Sequence, residues 1–247
     1  QIFMDYGLLT DEKFYDRIQP VYLLKNTKGE HKTFEEYKEI IKEKQTDKDE
    51  NLVILYTNNA EADHGIIAKA NKKGYDVLEM NTPLTAHLLQ QFEMKMEKVT
   101  FKRVDADSIE KLIPKADSVE SNLTEDQKGQ LTPVIQSVVD KDKFVVQYES
   151  LSEDELPMVV TQSEFMRRMK EQAEIGGGMM GMGNLPESYN LVVNSNHELI
   201  SKMLLETDEQ KRSNMAQQAA DLALLSKGLL RGEKLTHFIE RSVGMIN

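Results

Sequence analysis

The residue types that ordinarily do chemistry are present in this chain, but their spacing assembles no familiar constellation. The five histidines, His31, His64, His87, His197 and His237, are scattered. None stands in a His-x-x-x-His or His-x-x-Glu-His arrangement, so metal ligation is not signalled. Asp47, Asp49 and Asn51 open in the manner of a calcium loop. Its sixth position is Leu52 rather than glycine and its twelfth is Asn58 rather than glutamate, so the match fails. Gly176–Gly178, Gly181 and Gly183 make a glycine-rich stretch. No Lys-Ser/Thr pair follows it, and it continues a helical pattern instead of joining a strand to a helix, so it is not a phosphate cradle. There is no Gly-x-Ser-x-Gly elbow. There is also no cysteine, which removes thiol catalysis, thiolate metal sites and disulfides. The expectation is no catalytic residue and no metal ligand.

What remains is the chemistry of contact. Thr161 and Glu164 have capping-box spacing and predict a helix start. Phe165, Met166, Met169 and Ala173 then fall on one helical face. Arg167, Arg168, Lys170, Glu171 and Glu174 cover the other, as a solvated face or as an attraction for acidic polypeptide. Gly176–Gly178 end the helix, because glycine favours non-helical backbone. Met179, Met180 and Met182 follow between further glycines. Flexible methionines on a loop suit a surface that adapts to varied apolar partners, and they suit equally a core with irregular gaps.

Several elements must position these residues. NLVILYT (51–57) is a continuous apolar run, the pattern of a strand buried on both faces. Helix 61–74, strand 75–80, a helix entered at Pro83 and strand 99–104 complete a β-α-β-α-β order. That order predicts a small parallel sheet with right-handed crossovers. Before it, residues 2–24 read as helical with a break near Pro20, and Thr33 with Glu36 caps a further helix. A polar stretch at 105–122 holds a short helix over SIEKLI and then marks a boundary near 115–122, giving two segments. In the second, Thr124 and Gln127 cap a helix, FVVQYES (144–150) and MVVTQ (158–162) predict an antiparallel pair, and YNLVVN (189–194) is a third strand. Asn196 reads as the cap of the next helix, and Thr207 with Gln210 as the cap of the one after. The fold class is mixed α+β.

The last forty residues are helical and amphipathic. Met215, Ala219, Leu222, Ala223 and Leu229 make one apolar stripe. Leu235, Phe238, Ile239, Ser242, Val243 and Ile246 make another. Such a hairpin packs on its own domain, or meets its copy as a four-helix bundle. At 247 residues the chain suits one large domain or two ordinary ones. A net charge of −11 argues against nucleic-acid binding. No apolar run approaches the ~20 residues of a membrane span. Gln1 stands where a methionine would open a complete protein, so the chain reads as a piece of a longer one. The absence of cysteine suits a cytoplasmic setting. The rival functional reading is a small α/β nucleotide- or ligand-binding enzyme domain on residues 51–104, with its ligand at the strand ends near Thr57–Asn59 and Asn81–Thr82.

Three segments carry a resemblance: FYDRIQPVYLLKNTKGEHKTFEEYK (14–38), PMVVTQSEFMRRMKEQ (157–172) and LPESYNLVVNSNHELI (185–200). Together they resemble the 90-kDa heat-shock chaperone family, in particular its bacterial branch. The resemblance implies that residues 1–118 are the later part of the middle domain and 119–247 the carboxy-terminal dimerisation domain. It implies a homodimer through Met215, Leu222, Leu235, Phe238, Ile239, Val243 and Ile246. It also implies contact with partly folded client proteins through Phe165, Met166, Met169, Met179, Met180 and Met182. ATP and magnesium belong, on the same resemblance, to a part of the full-length protein outside this chain, so no cofactor is expected here. The chain ends at Asn247 without an acidic tail, so tail-binding co-chaperones are not implied.

Overall fold

The structure is a computed structural model that describes residues 2–115, 120–165, 167–169 and 188–246. Its contacts group into two compact units. One comprises Gln1–Ala116 with Ser163–Leu185, and the other Asp117–Gln162 with Pro186–Asn247.

The first unit is built on the strand that the apolar run predicts. Strand β3 (Leu52–Thr57) lies between β4 (Val77–Glu79) and β5 (Val99–Arg103) and is parallel to both. Its side chains alternate between two cores because successive residues of a strand point to opposite faces. Ile54 and Tyr56 join a core with Tyr22, Phe34, Phe92 and Phe101. Val53 and Leu55 join another with Ile67, Val77, Ile109 and Leu112. Helices α1 (Ile2–Thr10), α2 (Glu12–Ile18), α3 (Phe34–Gln45) and α5 (Thr85–Lys95) serve the aromatic side. Helices α4 (His64–Lys72) and α6 (Ile109–Leu112) cover the other. A 3-10 turn at Gln19–Val21 makes the break expected at Pro20, and the short pair β1 (Leu24–Lys25) and β2 (His31–Lys32) follows. Thr33 and Glu36 form the predicted capping box. Pro83 sits in the turn before α5 rather than in its first turn. Gln45, fully buried, donates to the Val53 carbonyl and accepts from the Asp76 amide, which ties α3 to two neighbouring segments.

The second unit has helix α7 (Glu125–Ser137), capped by Thr124 and Gln127 as predicted, then β6 (Phe144–Glu149), β7 (Met158–Thr161) and β8 (Tyr189–Asn194). The expected β6–β7 pair is not formed. Strand β8 lies between them, parallel to β6 and antiparallel to β7. The reason is burial. β8 carries a run of buried residues from Leu191 to Asn194 and belongs in the centre, whereas β6 alternates in exposure and belongs at an edge.

Helices α8 (Glu198–Leu205), α9 (Glu209–Ser226) and α10 (Glu233–Gly244) complete the unit. Two expected caps are replaced. Asn196 spends its side chain on loops: it accepts from the Asn122 amide and donates to the Glu120 and Leu151 carbonyls. His197 caps α8 instead, accepting from the Leu199 amide at 2.9 Å. Asp208 caps α9 by accepting from the Gln210 and Lys211 amides. A carboxylate outcompetes the Thr207 hydroxyl there, as negative charge suits a helix N-terminus.

Candidate functional site

Two surfaces gather the residues singled out in the sequence. The first lies on the outer edge of β5, where the chain from Ser163 lies against the sheet of the first unit. Glu164, Phe165 and Arg167–Met169 are helical, and the Ser163 carbonyl accepts from the Arg167 amide. Thr161 is not part of this helix. It is the last residue of β7, opposite Asn190. The Glu164 carboxylate is likewise not a cap. It accepts from the Tyr56 hydroxyl at 2.9 Å, from the Arg103 amide at 3.1 Å, and from both Arg167 and Arg168.

Neither arginine lies on a solvated face. Arg167 is buried, with its guanidinium against the Tyr56 hydroxyl and Glu164. Arg168 pairs with Glu164 and with Glu93 of α5, and it donates to the Phe101 carbonyl at 2.6 Å. Burial alone would raise the Glu164 carboxyl, but the charges and hydrogen bonds of Arg167 and Arg168 hold it below the ordinary carboxylate range. Burial, reinforced by the Glu164 charge, pushes the Tyr56 hydroxyl well above its ordinary value, so it remains a neutral donor. Arg103 pairs with Asp105 in the same cluster. This network fastens the stretch to the sheet and leaves Phe165 outside it, 71% exposed. Phe165 and the half-buried Met169 border an open groove of about 630 Å³ that also touches Gln90, Thr100, Phe101 and Lys102. Met166, Met179, Met180 and Met182 lie outside the described residues.

The second surface belongs to α9 and α10. Helix α9 buries Ala216, Ala219, Ala220, Ala223 and Leu224, small residues that let it lie close to its neighbours. Asp221, buried, accepts from Gln217 and pairs with Arg241 of α10. The seven residues of the expected interface divide between two directions. Phe238 is buried, and Met215 and Leu235 pack partly into the same core. Leu222, Ile239, Val243 and Ile246 are 47%, 52%, 53% and 84% exposed, with Leu225 and Met245 exposed beside them. The helical spacing thus serves an inner face and an outer face at once. Sequence reasoning passed over Leu225, within α9, and Met245, which follows the last residue of α10.

The strand ends of the rival reading are occupied by internal bonds. Thr57, fully buried, donates to the Asp63 carboxylate at 2.6 Å, and the Asn59 amide donates back to Thr57. Thr82 donates to the Asp5 carboxylate at 2.9 Å, and Tyr22 donates to the other oxygen of Asp5. These side chains close loops and pin α1. Among the described residues no three His, Asp or Glu side chains come together to hold a metal ion, and no helix is long and apolar enough to cross a membrane.

No family model matches the chain. Curated relatives do. A chaperone protein HtpG of Bacteroides fragilis is 42% identical over 219 residues, which is 87% of this chain and 32% of the relative. One from Bacteroides thetaiotaomicron is 40% identical over 230 residues, 92% of this chain and 34% of the relative. One from Porphyromonas gingivalis is 32% identical over an aligned length of 309, taking in 98% of this chain and 45% of the relative. The chain therefore spans between a third and under a half of the length of the curated relatives it matches. The class they define is that of molecular chaperones. Over the part that it spans, the chain belongs to the HtpG chaperone family.

Proposed function

We propose that this chain is the dimerisation and client-contact part of an ATP-dependent chaperone that binds partly folded proteins in the cytoplasm. Residues 1–118 correspond on this reading to the later middle domain, and 119–247 to the carboxy-terminal dimerisation domain. ATP and magnesium act in another part of the full-length protein. The last two helices join two copies and keep the distant ATPase parts at high effective concentration for each other. Phe165 and Met169, with the methionines that follow them, offer clients an adaptable apolar surface.

The observation that carries this reading is the row Leu222, Ile239, Val243 and Ile246. These residues remain exposed while Phe238, on the same helix as Ile239 and Val243, is buried. An amphipathic helix that buries one apolar face and exposes a second has a place for another helix. The chain has no cysteine, so single cysteines report on this face without background. Cysteines placed in turn at Leu222, Ile239 and Val243 should yield a covalent dimer under mild oxidation. A cysteine at exposed Met94 should not. Absence of the covalent dimer at all three positions would contradict the reading.

A further inference from the structure

Among the described residues strand β5 has no neighbouring strand on its outer side, yet its outward backbone groups are not bare. Pairing with β3 uses the even-numbered positions of this segment: Lys98 accepts from the Leu52 amide, and Val104 donates to Tyr56. Val99, Phe101 and Arg103 therefore turn their backbone groups outward. An edge of this kind is a ready template for another chain. Glu93 accepts from the Phe101 amide at 2.6 Å, Arg168 donates to the Phe101 carbonyl at 2.6 Å, and Glu164 accepts from the Arg103 amide at 3.1 Å. Acceptor, donor and acceptor stand in the order that the backbone of an added strand would present them.

We propose that the β5 edge is a strand-addition site for an extended polypeptide segment, and that Glu164 and Arg168 hold the place of that segment until it arrives. The proposal deepens the client-contact reading and rests on it. Main-chain bonds to an edge carry affinity without sequence preference, and flanking pockets take alternate side chains. Here the part of the groove that stays on α5 and β5 is lined by Gln90, Glu93, Thr100, Phe101 and Lys102. Charge narrows the occupant. When the stretch from Ser163 withdraws, Arg168 leaves with it and Glu93 stays on α5 without that ion pair. The site therefore favours an extended segment that carries a lysine or arginine to meet Glu93. A second copy pairing edge to edge fits poorly, because it would set its own Glu93 against the same carboxylate.

The test uses a labelled peptide of alternating valine and threonine with one lysine, and the same peptide N-methylated at alternate amides. Fluorescence anisotropy with the unmodified chain should show the methylated peptide weaker by roughly tenfold or more, the size of one well-formed contact. Amide exchange at Phe101 and Arg103 should slow only with the unmethylated peptide. Arg168→Gln, verified as folded by its melting curve, should bind the unmethylated peptide about tenfold more tightly, since its place-holder is weakened. Equal binding of the two peptides overturns the proposal, as does failure of the unmethylated peptide to bind either protein. Self-association of Arg168→Gln in place of peptide binding also overturns it and assigns the edge to a second copy. If the unmodified protein suppresses client aggregation while either peptide result fails, strand addition falls and client contact stands. If suppression is absent as well, both fall.

Discussion

Glu164 joins several parts of the first unit at the β5 edge. It accepts from Tyr56, Arg167, Arg168 and the Arg103 amide. Replacing it with glutamine keeps the volume but leaves Arg167 buried without its carboxylate. Breaking one side of a buried pair costs about 3–5 kcal/mol. Glu164→Gln should therefore lower the unfolding free energy of the first unit, read from urea denaturation, by an amount in that range. The pH dependence has a fixed sign. A carboxyl held below its ordinary value of 4.5 contributes stability above that pH, and the contribution is lost as pH falls through the depressed value. Acid unfolding of the unmodified protein should therefore begin at higher pH-sensitivity than that of Glu164→Gln, whose stability changes less below pH 4.5. A variant as acid-sensitive as the parent would count against the network. At this scale the sequence was least readable. Thr161-x-x-Glu164 has the spacing of a cap, but the partners that claim Glu164 include Tyr56, 108 positions away. Local pattern cannot report such a partner, and of the two arginines that look solvated Arg167 is buried and Arg168 is partly buried in ion pairs.

Elements were more legible, because burial on two faces leaves a mark in composition. NLVILYT reads as a strand buried on both faces, and all of it but Asn51 forms the central strand, feeding two cores through alternate residues. Thr33 and Glu36 read as a capping box and form one. Thr33→Ala should cost about 1 kcal/mol in thermal or urea unfolding, as N-cap losses do. An unchanged midpoint would mean that α3 is held by packing alone. Where elements must be placed rather than recognised, the sequence says less. A short loop between β6 and β7 suggests a hairpin, yet β8 takes the place between them because its run of buried side chains needs a neighbour on each side. Helix α10 makes a similar point, since one apolar stripe faces in two directions. Phe238→Ala should destabilise the second unit by about 3–5 kcal/mol, as deletion of a buried aromatic does. Ile239→Ala should leave the unfolding midpoint at low protein concentration nearly unchanged. Equal effects would contradict the division of the stripe.

At the scale of the whole molecule the central claim is association through α9 and α10. The two apolar stripes made this face visible in the sequence, but not which residues point outward, because a 3.6-residue period shows a face without showing what covers it. The structure sets Phe238 inward and Ile239, Val243 and Ile246 outward. Deleting α10 would therefore be a poor test, because it would remove Phe238 and the Asp221–Arg241 pair from the core. Aspartates at two outward positions leave both in place. The direct measurement is solution mass by light scattering across a range of concentrations, for the unmodified chain and for Ile239→Asp/Val243→Asp with its fold verified. The expected result is a dimer of about twice the 28.3 kDa chain mass for the first and a monomer for the second. A monomer for the unmodified chain, or a dimer that survives both aspartates, would contradict association through this face.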